Sequence, residues 1–156
     1  MKYFHTLMIA AASLVAFSTT AKASGGLWCT IDDANLKMTV ESGVTRGMGG
    51  PLFNFRASAE VLAGNVAPDF RKNVLDDKLV HSWLEGGDTR LLFYAEREGD
   101  KPHGYVSITI KTLADPEDDE VEAKGTYELT YFEAERQKGD DTGYVTLKGE
   151  ASCGGE

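Results

Sequence analysis

The chain has 156 residues, with 16 Lys+Arg against 25 Asp+Glu for a formal charge of −9, 42% hydrophobic residues and two cysteines. The apolar fraction is too high for a disordered chain, and the charge is opposite to the clustered positive surface that a nucleic-acid partner requires. The length fits one domain.

Residues 1–23 read as a secretory signal peptide. Lys2 and His5 form a weakly basic start, residues 7–17 are an apolar run, and Ala21-Lys22-Ala23 is a small-x-small cleavage site. The run is shorter than the ~20 residues a transmembrane helix needs, and no later stretch approaches that length, so no membrane span is expected. Removing residues 1–23 takes Lys2 and Lys22 and no acid. The remaining 24–156, read as a single β domain, hold 14 bases against 25 acids, a charge of −11. The expected location is periplasmic or extracellular. In such an oxidising compartment two cysteines imply one disulfide, Cys29–Cys153.

Past the signal segment the pattern is period-2 alternation. Leu27, Cys29 and Ile31 share one parity, as do Leu36, Met38 and Val40. Phe53, Phe55, Ala57, Ala59 and Val61 make a longer run. Residues 63–77 break the pattern; Pro68 and the residues after it predict one or two helical turns capped by Asp69. Two runs, 78–84 and 89–98, are apolar on both parities and predict strands covered on both faces. Val106, Ile108 and Ile110 alternate with Tyr105, Ser107 and Thr109; Tyr127, Leu129 and Tyr131 alternate with Glu128 and Thr130. Val145, Leu147, Ala151 and Cys153 complete the series. Gly- and Asp-rich turns separate the runs.

The expected fold is therefore all-β. About eight antiparallel strands form a closed or nearly closed meander barrel, with a two-layer β-sandwich as the alternative. Cys29 near the start of the first strand and Cys153 at the end of the last meet if those strands are antiparallel neighbours, so the disulfide joins first strand to last.

One local repeat stands out. Ala95-Glu96-Arg97 is followed after six residues by Gly104-Tyr105-Val106, and Ala134-Glu135-Arg136 after six by Gly143-Tyr144-Val145, an offset of 39 that Phe93 and Phe132 keep. Each unit reads as a hairpin. The candidate binding rim is drawn from the two loop mouths: Arg97, Asp100, His103, Tyr105, Arg136, Asp140, Asp141 and Tyr144.

Catalytic and metal motifs are missing. His81 and Ser82 are adjacent in a strand and point to opposite faces, so they do not form a nucleophile–base pair. No Gly-x-Ser-x-Gly elbow, His-Glu-x-x-His or Cys-x-x-Cys occurs. The acidic run 115–120 and the 139–143 turn lack calcium-loop spacing and read as solvated turns. The 47–50 loop lacks the helix and Lys of a phosphate loop; it reads as a hairpin tip that exposes Met48. No catalytic residue, metal or cofactor is expected.

The leading function is a non-enzymatic, inhibitor-like protein whose loops recognise a basic protein partner. Small secreted inhibitors of lysozyme are similar in size, acidity and disulfide-tied β structure, without a shared motif. Two alternatives stand beside this: a carrier of a small apolar ligand, with Ala57, Ala59, Gly149 and Ala151 leaving room inside, and a hydrolase built on a carboxylate pair.

Overall fold

The computed structural model describes residues 24–45, 51–64, 66–115, 122–136 and 142–155. Residues 1–23, read above as a signal segment, Met48 and the rest of the 47–50 tip, residues 116–120 of the acidic run, and Asp140 and Asp141 lie outside the described residues. Nine strands follow in order: β1 (Ser24–Asp32), β2 (Leu36–Thr45), β3 (Leu52–Val61), β4 (Lys72–Val74), β5 (Leu79–Glu85), β6 (Asp88–Glu96), β7 (Gly104–Leu113), β8 (Glu122–Glu133) and β9 (Tyr144–Gly155). A 3-10 turn spans Pro68–Phe70. No helix among the described residues is long and apolar enough to cross a membrane.

All the strands belong to one antiparallel sheet, in the order β4-β3-β2-β1-β9-β8-β7-β6-β5. The sheet is a half-barrel of nine strands, not a closed barrel of eight. The extra strand is β4, in the segment expected to be helical. The closure fails for a local reason. β4 and β5 are consecutive in sequence but pair with β3 and β6, at opposite edges of the sheet. Residues 75–78 cross between those edges: Leu75 N donates to Ala57 O on one side, and Tyr94 N donates to Lys78 O on the other. At the crossing the Asp76 carboxylate accepts from Ala57 N at 2.8 Å. A side chain thus takes the position that a ladder partner would hold.

The core follows the predicted parity. Leu36, Met38, Val40, Leu91, Phe93, Val106, Ile108, Ile110, Tyr127, Leu129 and Tyr131 are buried on the inner face, each contributing roughly 1.5–3 kcal/mol if apolar. Two departures are informative. Phe53 does not share the face of Phe55: the register shifts between Glu41 and Gly43, Asn54 adopts φ 50°, and Phe53 lies over Gly43 instead. A bulge of this kind inserts one residue and flips the parity. The run 78–84 is not covered on both faces, because β5 is an edge strand; Val80 and Trp83 are exposed.

Cys29 and Cys153 lie directly opposite each other in the β1–β9 ladder and form the disulfide. The first and last strands therefore meet in the middle of the sheet order. Residues 66–71 fold over one end of the half-barrel. Val66 and Phe70 are buried there, Ala67 N donates to the Tyr131 hydroxyl at 3.2 Å, and Phe70 packs edge-on against Tyr131 with centroids 5.5 Å apart. The turn's N-cap is Ala67, with Pro68 at its first position. Asp69 does not cap it, because its carboxylate is drawn to Arg97. Gly149 leaves no free space: the Tyr127 ring and the Asp33 carboxylate fill the volume a Cβ would need. The Tyr127 hydroxyl donates to Asp33 Oδ2 at 2.7 Å.

Candidate functional site

Antiparallel pairing brings residues of four strands into a row on the outer face. Tyr105 stands opposite Phe132, and Phe132 opposite Tyr144. Tyr94 lies diagonally beside Tyr105, within reach for aromatic rings. The centroid distances are 5.1 Å for Tyr94–Tyr105, 5.5 Å for Tyr105–Phe132 and 4.7 Å for Phe132–Tyr144, with tilted planes. His103 caps the row, 6.0 Å from Tyr105 and 5.7 Å from Phe132. Its Nδ1 lies 2.9 Å from Glu96 Oε1. Phe132 is buried under its neighbours, and Tyr144 at the end of the row is 50% exposed.

Carboxylates and bases both stand around the row, with Glu96 against His103 at 2.9 Å and Glu98 against Lys78 at 3.8 Å. Burial and then the charge of Glu96 raise the Tyr94 hydroxyl pKa. Burial also raises Tyr105, reinforced by Tyr144 and then Tyr94. Glu96, Glu98, Asp100 and Glu135 are exposed at the same end. An aromatic row beside carboxylates can receive a cation through both the ring faces and the charge.

A second cluster sits on the inner face at that end. Arg97 donates from Nε to Asp69 Oδ2 at 2.8 Å, from Nη2 to Glu133 Oε1 at 2.6 Å and from Nη1 to the Pro102 carbonyl at 2.7 Å. The guanidinium lies 4.9 Å over the Phe70 ring, and its side chain is 6% exposed. The Tyr131 hydroxyl donates to the other Glu133 oxygen at 2.6 Å. Arg97 holds the Asp69 carboxyl below its usual range. Burial pushes Glu133 up, but the Tyr131 hydroxyl and Arg97 outweigh it, and the net shift is down. Burial raises Tyr131 to about 12, with Glu133 adding to the shift. Both acids are thus held ionised by Arg97, with Lys101 adding to it at Asp69 from 3.5 Å. This is the chemistry of a latch, where a glycosidase-type pair needs one acid with a raised pKa. No group of three or more His, Cys, Asp or Glu among the described residues is placed to hold a metal.

Of the eight rim candidates, His103, Tyr105 and Tyr144 come together in the aromatic row. Arg97 is placed inside, in the latch. Asp100 is exposed in the β6–β7 loop. Arg136 lies in the turn after β8, and Asp140 and Asp141 fall outside the described residues. The sequence repeat does not carry over into matching geometry. In the first hairpin Tyr105 pairs with Glu96; in the second Tyr144 pairs with Phe132, three residues away from the equivalent Glu135. Tyr94, Phe132 and Glu96 were missed as site residues. Their signal was present: Tyr94 and Phe132 sit on the polar parity of their strands, where an aromatic side chain stands out.

No protein-family model, curated protein or solved structure matches the chain.

Proposed function

We propose that the protein is an exported, non-enzymatic binding protein that recognises a basic protein partner, and that its contact surface is the Tyr94–Tyr105–Phe132–Tyr144 row. The observation that carries this reading is the row itself: four aromatic rings in continuous contact on the outer face, with a half-exposed Tyr144 at one end and the Glu96 carboxylate opposite Tyr105 toward the other. Aromatic residues are enriched where interfaces gain most of their energy. The excess of acids, −9 for the whole chain and −11 once residues 1–23 are removed, speeds encounter with a cationic surface. The cleaved signal segment and a periplasmic or extracellular setting belong to the same proposal, supported by the disulfide.

The carrier alternative draws less support, because the interior space at Gly149 is taken up by Tyr127 and Asp33. One experiment separates the two. The oxidised chain is immobilised and offered purified basic proteins over a salt series, while a native mass spectrum of the same preparation is recorded. The proposal expects retention that weakens with salt and falls about tenfold in Tyr144→Ser, in line with a lost cation–π and stacking contact. A bound apolar molecule in the spectrum, with no protein retained, would establish the carrier instead.

A further inference from the structure

The row of rings ends at β9, and one edge of β9 is only partly paired. Its pairing with β8 runs without a register shift along eleven residues, from Glu122↔Gly154 to Phe132↔Tyr144. Its pairing with β1 covers only four, from Leu27↔Gly155 to Thr30↔Ser152. Beyond Thr30 the β1–β2 turn folds inward, where Asp33 accepts from Asn35 N, Leu36 N and the Tyr127 hydroxyl. The side of β9 facing away from β8 therefore has no ladder partner over residues 144–151 among the described residues. In a strand, alternate residues aim their N–H and C=O at that side. Val145 and Leu147, on the inner parity, are only partly covered, whereas Ala151 and Cys153 further along are buried.

We infer that the free edge of β9, residues 144–151, accepts an added antiparallel or parallel strand: an extended segment of the partner that alternates basic and apolar side chains. This rests on the basic-partner reading and names how the partner is held. Main-chain hydrogen bonding specifies an extended backbone. One parity of that backbone meets Val145 and Leu147 on the inner side. The other emerges on the outer face next to Tyr144, where a cation meets the end of the aromatic row. Charge agrees with this. Four acids, Asp32, Asp33, Glu128 and Glu150, outnumber two bases, Lys37 and Lys148, near the edge; Lys37 pairs with Asp32 at 3.2 Å and Lys148 with Glu128 at 2.7 Å, which leaves the formal charge there negative through Asp33 and Glu150. Both outer edges of the sheet are guarded: β4 is only three residues long, and the β5 ladder carries a register shift between Leu79 and His81, two devices that protect an edge from pairing. The β9 edge is regular.

The test uses the oxidised chain and two probes, a short peptide alternating lysine and valine and the same peptide N-methylated at every second residue. N-methylation removes the donors on one edge and leaves charge and side chains unchanged. Affinity and backbone amide exchange are measured for both. The inference expects binding of the first peptide, slowed exchange at alternate amides within residues 144–151, and binding at least about tenfold weaker for the methylated form. Equal binding of both peptides overturns strand addition and leaves recognition of basic proteins standing. Binding of neither, while basic proteins are still retained, overturns it in the same way. Slowed exchange of those amides in the chain alone, rising with its concentration, overturns it in favour of a second copy as the occupant.

Discussion

Arg97→Met tests whether the residue is a latch or part of a binding rim. The substitution keeps the stem that packs on Phe70 and removes the guanidinium. It takes away hydrogen bonds to Asp69, Glu133 and the Pro102 carbonyl, and leaves Glu133, whose side chain is 14% exposed, without its cation. Removing one partner of a buried ion pair costs about 3–5 kcal/mol, because the stranded charge stays desolvated. For a chain of this size that corresponds to a fall in Tm of about 10–20 °C. The pH dependence gives a second readout. In the native protein Asp69 and Glu133 titrate below their usual values. Depressed carboxyl pKa values contribute stability that is present above the unfolded values, about 4, and lost as pH falls through the folded ones. The variant lacks this contribution, so its deficit should be widest near pH 7 and narrow below about pH 4. Calorimetry of both proteins from pH 3 to pH 8 checks it. A variant that melts within a few degrees of the parent at pH 7, yet loses affinity for basic proteins, would refute the latch and return Arg97 to the binding surface.

Removing the disulfide in Cys29→Ala/Cys153→Ala releases a loop spanning 124 residues; chain entropy sets an upper figure of about 5 kcal/mol, and a loss of about 2–5 kcal/mol is expected from the urea midpoint. Thr112→Val should stabilise the protein by about 0.5–2 kcal/mol in a thermal melt, because Thr112 Oγ1 is buried with no hydrogen-bond partner among the described residues. Alkali should destabilise the fold through Tyr131. Below pH 10 both states keep the phenolic proton; between 10 and about 12 the unfolded chain releases it and the folded chain does not, so stability falls in that window by on the order of 2–3 kcal/mol. Tyr131→Phe should flatten that limb in unfolding curves taken across the same range.

Alternation made the strands legible because each has one face on the core and one in water; Val106 to Ile110 and Tyr127 to Tyr131 are the clearest cases. The disulfide was legible from two cysteines on the apolar parity of terminal strands. Closure was not, since it turned on which edge residues 75–78 reach and on Asp76 taking a ladder position, a tertiary choice with no local signature. Phe53 misled because a bulge shifts parity by one residue, and Asn54 alone gives little warning of it. At the site, His103, Tyr105 and Tyr144 were found through a repeat whose two copies are in different register. Their convergence came instead from strand pairing, which also brought in Tyr94 and Phe132. Arg97 was misplaced because a charged residue at a loop mouth ordinarily points outward. Its burial depended on residues 66–71 folding over the end of the sheet and bringing Asp69 with them.

The sulfur bridge between β1 and β9 also decides how the molecule carries load. Tension applied to the polypeptide outside Cys29 and Cys153 passes from one cysteine to the other through a single covalent link, so the 123 residues enclosed between them are bypassed. An oxidised molecule stretched in an optical trap should lengthen only by the residues outside the bridge. Adding a reductant should expose the full extension of the enclosed chain.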